Sequence, residues 1–183
     1  YNWASKYFLE ASMRSDGSYL FPPDKRWGLF YGFSGGWVLT EEKFLHFLTD
    51  DKIFNYLKLR GSYGLVGTTT NVPAYSYLSS YNINANAWLV DGQPQPGLSE
   101  GSLPSTSYSW YSNASSDVGL DFATLGNHLT GSFDYFYVRT TGYVIPDTSY
   151  ATTLGKSLPV INSNAALRNA GFEFNLTWKN HIG

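Results

Sequence analysis

Cysteine is absent from the 183 residues, so neither a disulfide framework nor a cysteine-based zinc site can exist. Charge is scarce as well: Asp, Glu, Lys and Arg make up 14% of the chain, against roughly 25% in an average soluble protein. The 12 cations are scattered and outnumbered by 14 acids. That balance argues against nucleic acid as a partner, because phosphate binding needs a concentrated basic surface. No run approaches the ~18 consecutive apolar residues of a transmembrane helix, so any crossing of a membrane has to be made by strands. No basic-then-apolar leader opens the sequence at Tyr1, and any targeting sequence is expected to have been removed or to lie outside these residues. What is plentiful is apolar and aromatic: 43% hydrophobic residues, with 15 Tyr, 12 Phe and 6 Trp. Such a chain can bury ample surface, which excludes disorder.

The apolar residues recur with a period of two. Over 27–39, Trp27, Leu29, Tyr31, Phe33, Gly35, Trp37 and Leu39 fall on one face, while Arg26, Gly28, Phe30, Gly32, Ser34, Gly36 and Val38 fall on the other. The pattern returns over 55–65, where Leu57, Leu59, Tyr63 and Leu65 oppose Tyr56, Lys58, Arg60, Ser62 and Gly64. Val118, Leu120 and Phe122 oppose Asp117, Gly119 and Asp121. Leu129, Phe133, Tyr135 and Tyr137 oppose His128, Thr130, Ser132 and Asp134. Phe172, Phe174, Leu176 and Trp178 oppose Gly171, Glu173, Asn175 and Thr177. A noisier opening segment sets Trp3, Tyr7, Leu9, Ala11 and Met13 against Lys6, Glu10, Ser12 and Arg14. The expectation is an all-β, antiparallel segment of about six strands.

The connections alternate in length. Leu125-Gly126-Asn127 reads as a tight turn, and the stretch from Thr40 reads as a short Thr40-capped helix with two acids in its first turn. By contrast 16–25 is a medium loop, and 67–113 and 142–164 are long loops rich in Tyr, Ser, Asn and Pro. Short connections on one edge and long ones on the other are the layout of an outer-membrane barrel. Trp27 and Trp37 lie ten residues apart on one face, roughly 25 Å along a barrel axis at ~3.3 Å rise and ~40° tilt, which equals the height of a lipid-facing band. In a soluble sandwich the outward face would carry Lys, Glu and Thr, and the apolar face would meet a second sheet. Six strands leave two open edges whose backbone groups would face hydrocarbon unsatisfied, so this stretch is expected to be part of a larger transmembrane β-barrel.

Several strings are familiar when read in order. These are Phe8-Leu-Glu-Ala-Ser-Met-Arg-Ser-Asp-Gly-Ser18, Arg26-Trp-Gly-Leu-Phe-Tyr-Gly-Phe-Ser-Gly-Gly-Trp37 and Leu57-Lys-Leu-Arg-Gly-Ser-Tyr-Gly64. Val118-Gly-Leu-Asp-Phe122, Leu129-Thr-Gly-Ser-Phe-Asp-Tyr-Phe-Tyr137 and Asn169-Ala-Gly-Phe-Glu-Phe174 follow. Together they resemble the C-terminal barrel half of SusC/RagA-type TonB-dependent outer-membrane transporters of Bacteroidota, with only the long loops unmatched. The resemblance implies a barrel of about 22 strands closed by an N-terminal plug. It implies energisation by the TonB-ExbB-ExbD complex, a SusD-like surface lipoprotein at the extracellular mouth, and import of oligosaccharides or peptides. The plug is not among these residues. In that orientation the connection after Thr40 and the Gly126 turn are periplasmic, and the long loops extracellular.

Candidate residues follow from the faces. Lys58, Arg60, Asp117, Asp121, Asp134 and Glu173 are expected to face the lumen, either lining the passage or bracing the wall as a salt-bridge network. Trp27, Tyr31, Phe33, Trp37, Phe172, Phe174 and Trp178 are expected to face outer-membrane lipid. Tyr75, Tyr77, Tyr81, Trp88, Tyr108 and Trp110, set among Ser, Asn and Gly in a long loop, are the expected extracellular contacts for substrate or partner. Asp121 and Asp134 could form an acid/base pair only in a pocket that raises one pKa, and the sequence shows none, so no enzyme is expected. His46, His128 and His181 lie too far apart for a metal motif, and no cofactor is implied. The alternative function is a soluble all-β glycan-binding module with the same aromatics as its platform.

Overall fold

The computed structural model describes residues 1–45, 47, 53–151, 153 and 155–180. The strands are β1 (Asn2–Trp3), β2 (Tyr7–Gly17), β3 (Trp27–Val38), β4 (Tyr56–Thr68), β5 (Tyr81–Val90), β6 (Gln93–Glu100), β7 (Tyr111–Thr124), β8 (Leu129–Thr141), β9 (Val144–Pro146), β10 (Val160–Asn162) and β11 (Ala166–Trp178). Seven make one antiparallel sheet in the order β1-β2-β3-β4-β7-β8-β11, a meander in which each long strand pairs with its sequence neighbour. The six long strands are those expected from the alternation. Among the described residues no helix is long and apolar enough to cross a membrane, which says nothing of crossing by strands.

Register carries the alternation from strand to strand. Ala11 pairs with Phe33 and Phe33 with Tyr63; Leu59 pairs with Leu120, Leu120 with Phe133 and Phe133 with Phe174. Residues directly opposite share a face, so the bulky apolar side chains merge into one continuous surface. Among the described residues no second layer covers it. Trp27 and Phe172 are each 70% exposed, and Leu9, Met13, Leu29, Phe33, Val118, Phe174 and Trp178 are exposed too. A sandwich would have buried these positions, so the soluble two-sheet alternative finds no support in this architecture.

Three expectations about connections are corrected. The Thr40-capped helix is instead a pair of single-turn 3-10 elements, Leu39–Glu41 and Lys43–Leu45; the rest of that stretch, His46 included, lies mainly outside the described residues. Thr40 is buried and its hydroxyl accepts a hydrogen bond from the Leu57 backbone N at 3.4 Å, which ties the connection to β4. The opening segment is not one strand: the chain reverses at Ala4 (φ 52°) and Ser5 (φ 55°), placing Trp3 in β1 opposite Tyr7. Finally, the long loops are not structureless. One contains the hairpin β5–β6, turned at Asp91 (φ 50°) and Gly92 (φ 74°), and the other contains the pair β9–β10. Asp-Gly is a type I′ hairpin signal that was present in the sequence. The expected Gly126 turn is present, with left-handed φ at Leu125, Gly126 and Asn127, and is held by Asn55 Oδ1, which accepts from Gly126 N at 2.9 Å.

The interior lies in the loops, above the sheet. Phe21 and Tyr108 are fully buried and pack with Val72, while Leu20, Tyr77, Trp110, Val144 and Val160 close around them. Three different connections therefore share one small core. Trp110 joins it to the sheet, with ring centroids 5.1 Å from Phe21 and 5.2 Å from Phe30. The Tyr108 hydroxyl donates to Leu20 O at 2.8 Å and accepts from Ser76 at 2.6 Å, so its burial leaves no polar group unpaired. Burial also pushes its phenol pKa up.

At the opposite end Trp3, Tyr7, Trp37 and Phe44 form a chain of ring contacts at 5.6, 6.3 and 6.5 Å. Glu42 fastens it: its Oε1 accepts from the Tyr7 hydroxyl and, at 3.1 Å, from Trp37 Nε1. The Tyr7 hydrogen bond, followed by that of Trp37, holds the Glu42 carboxyl below the usual carboxylate range. A depressed pKa makes this contribution complete above the unfolded value of about 4.3 and lost as pH falls through the folded value.

Two outcomes are expected. Tyr108→Ala should cost about 3 to 5 kcal/mol of loop-core stability, seen as faster proteolytic nicking within 69–110 while the strand signal in circular dichroism is unchanged. In a carboxyl-carbon NMR titration, Glu42 should titrate below about 4.3, and Tyr7→Phe should move its midpoint upward.

Candidate functional site

The face opposite the apolar surface carries the charge. Arg60 of β4 pairs with Gly119 of β7, and Gly119 pairs with Asp134 of β8, so these three stand in one row across the sheet. With no side chain at 119, the guanidinium lies across β7. Its Nη2 reaches Asp134 Oδ1, its Nη1 lies 3.2 Å from Asp117 Oδ1, and its Nε lies 3.2 Å from Asp121 Oδ1. A Cβ at 119 would overlap Asp134 Oδ1 and stand 2.6 Å from Arg60 Cζ. The glycine is therefore a steric condition for one cation to serve three carboxylates. Asp134 is buried, and its Oδ1 has the Arg60 charge as its neighbour without a well-aligned hydrogen bond.

Lys58 leans the other way. It pairs in register with Asp121, but its ammonium lies over the Phe8 ring, 4.9 Å from the centroid. Gly36 makes this possible, since a Cβ there would stand 2.9 Å from Lys58 Cε. The cation–π contact partly replaces the carboxylate that Arg60 has taken. Between the two cations runs an open groove of about 550 Å³ lined by Glu10, Ser34, Lys58, Arg60, Ser62 and Asp117. Glu173 shares the face, opposite Asp134 in register, and is exposed. The structure thus brings Arg60, Asp117, Asp121 and Asp134 into one ionic cluster and leaves Lys58 and Glu173 on either side of it. The charges are legible in the sequence, whereas what Gly119 and Gly36 make room for is not, because it depends on strand register.

The loop aromatics divide into two groups. Tyr108 is fully buried and Trp110 partly so, with its Nε1 donating to Arg26 O at 3.0 Å; their burial removes both from the expected contact surface and makes them part of the loop core. Tyr77 packs against the same core. Tyr75, Tyr81 and Trp88 are exposed. Trp88 lies over Gly97 within the β5–β6 hairpin, which Lys156 anchors to the other long connection by an ion pair with Glu100. The expected lipid-facing aromatics sit on the apolar face by register: Trp27, Phe33, Phe172, Phe174 and Trp178 are exposed, and Tyr31 and Trp37 are half-buried by neighbouring rings. His128 sits at the β7–β8 turn, its Nδ1 2.8 Å from Lys179 O, and His181 lies outside the described residues.

Gly119→Ala should destabilise the protein by about 1 to 3 kcal/mol by displacing Arg60 from Asp134. In a double-mutant cycle with Asp134→Asn, urea unfolding should show the aspartate substitution costing less once Gly119→Ala is already in place.

No family model matches the sequence. Two curated relatives align along almost all of it. The TonB-dependent receptor SusC of Bacteroides thetaiotaomicron is 28% identical over 180 residues, covering 98% of this chain and 18% of the relative. The TonB-dependent receptor P39 of Formosa agariphila is 30% identical over 180 residues, covering 98% and 16%. The chain therefore spans less than a fifth of the length of the relatives it matches. Among solved structures, the RagAB peptide importer in its closed-closed state superposes with a TM-score of 0.78 at 21% identity, over 97% of this chain and 18% of that one. A second structure of the RagAB peptide transporter gives 0.77 at 21% identity with the same coverage. At that identity the likeness speaks to the fold, and the fold it gives is an open antiparallel sheet continuing into a larger assembly. By sequence and fold together, these residues match a stretch of barrel wall of TonB-dependent receptors of the SusC/RagA type.

Proposed function

We propose that this chain is part of the wall of an outer-membrane nutrient importer driven through TonB. The observation that carries the reading is the two-sidedness of a single sheet. One face is apolar and exposed over most of its height, and the other holds an ionic cluster beside an open groove lined by Glu10, Lys58, Arg60 and Asp117. Only a wall between lipid and a wet interior suits both faces at once. The wall itself performs no covalent chemistry. Its task is to hold the passage open against the bilayer while a plug, supplied elsewhere in the receptor and pulled by TonB-ExbB-ExbD, rearranges.

The charged groove is the surface that meets cargo or plug. Arg60 neutralises part of the aspartate charge and stiffens three strands, while Lys58 and Glu173 stand outside that network with charge to offer. The long connections lie at the end of the sheet away from the Gly126 turn, where a SusD-like lipoprotein would close over the mouth. Of the aromatics expected to make contact there, Tyr75, Tyr81 and Trp88 are exposed and free to touch it or the substrate. Peptides and oligosaccharides both suit aromatic faces set among amides and hydroxyls.

Val118 lies midway along the apolar face and is exposed there, while Ser62 faces the groove. In the complete receptor, Val118→Arg should cost about 2 to 4 kcal/mol of barrel stability in urea unfolding from lipid, and Ser62→Arg less than about 1 kcal/mol. Equal sensitivity at the two positions would reverse the inside and outside assignment. A water-soluble monomer that needs no detergent would favour the glycan-binding module instead.

A further inference from the structure

The apolar face can be followed through the register along β2, β3, β4, β7, β8 and β11. Every outward position is apolar, aromatic, small or hydroxylated except two, and both exceptions are arginines. Arg139 of β8 and Arg168 of β11 stand directly opposite each other. Both are exposed. Among the described residues no carboxylate lies within ion-pair distance of either. The remaining outward neighbours are Ala114 across from Arg139, Tyr137 and Thr141 along β8, and Ala166 and Ala170 along β11, none of them anionic. Like charges directly opposite on a sheet repel. Two like charges on an otherwise uncharged outward surface call for a counter-anion, and both strands beside Arg139, β7 and β11, are described and offer none.

We propose that Arg139 and Arg168 together bind the phosphate of an outer-leaflet lipid headgroup. Height along the strands fixes which part of a lipid they meet. Arg168 is ten residues from Trp178 on the same face of β11, and Arg139 is ten from Leu129 on β8. At ~3.3 Å rise and ~40° tilt this is roughly 25 Å along the barrel axis, the full height of the lipid band. Trp178 marks the end that carries the Gly126 turn, so the arginine pair stands at the loop end, where hydrocarbon gives way to headgroups. At the midplane such a pair would be expelled, whereas at the boundary it is tolerated. The chemistry suits phosphate. Guanidinium presents a planar fork of donors, and two forks side by side can hold one tetrahedral anion from two directions. The alanines at 114, 166 and 170 leave space beside the forks for a bulky headgroup.

This inference rests on the outer-membrane reading, but the two fail separately: that reading stands or falls on Val118 against Ser62, and this one on the arginines. The experiment uses the complete receptor in neutral detergent micelles, with lipid A as the probe. Phosphorylated lipid A should raise the unfolding temperature, while lipid A stripped of phosphate, or inorganic phosphate alone, should leave it unchanged. In the double variant Arg139→Gln/Arg168→Gln the apparent affinity for phosphorylated lipid A should fall about tenfold or more. Arg139→Lys/Arg168→Lys should recover part of it. Should the glutamine variant fail to fold, the Arg139→Gln single variant, whose row neighbours are both within this chain, carries the same test. Equal binding by wild type and variants would overturn the proposal, as would equal binding of the dephosphorylated lipid. Stabilisation by inorganic phosphate alone would overturn the lipid assignment and leave a simple anion site.

Discussion

The rest of this structure depends on the sheet being a single layer. A layer one strand thick has two faces, and neither can be hidden by folding the six strands on themselves, because each long strand pairs only with its neighbours in a meander. Each face must therefore suit the medium beside it. Period-two alternation lets one chain meet that condition, since consecutive residues address opposite media. The outcome is a surface of exposed rings and aliphatic side chains backing directly onto a surface of serines, glycines and ions. Backbone hydrogen bonds along the ladder remove the polar groups that hydrocarbon would not tolerate.

Glycine controls the charged face. Gly119 and Gly36 are both strand residues, where glycine ordinarily weakens pairing and packing. Here each clears a lane over its strand, so that a long cation from β4 crosses the neighbouring strand and reaches the one beyond. Arg60 goes one way to a cluster of aspartates and Lys58 goes the other to an aromatic ring. Two cations two residues apart on one strand would otherwise compete for the same carboxylates. The split braces the wall on one side and leaves an ammonium beside the groove on the other.

The loop end follows a different rule. There the chain leaves the sheet and needs an interior of its own, which it builds from one or two residues of each connection. Phe21, Val72 and Tyr108 are separated by dozens of residues in sequence, yet they form one buried cluster. Asn162 binds the same region by donating to Ser109 O and Gly142 O at 3.0 and 2.6 Å. A loop fastened in this way presents its remaining aromatics, Tyr75, Tyr81 and Trp88, on a supported surface. That is a better base for recognition than a free coil, because less ordering entropy is lost on contact.

The six long strands, the division of residues between two faces, the short and long connections and the Gly126 turn were all legible in the sequence. Each depends on spacing along one strand or on local turn chemistry, and both are written into consecutive residues. The β5–β6 hairpin was legible in principle from Asp91-Gly92 but was obscured by the polar composition around it. Other features could not be read that way. The fate of Tyr108 and Trp110, the lanes over Gly36 and Gly119, and the meeting of Arg139 with Arg168 all involve residues far apart in the chain. Spacing within each strand is enough to make one face greasy and the other polar. Which charges stand beside each other and which aromatics are buried follows from strand register and loop packing, because these join positions that no local period connects.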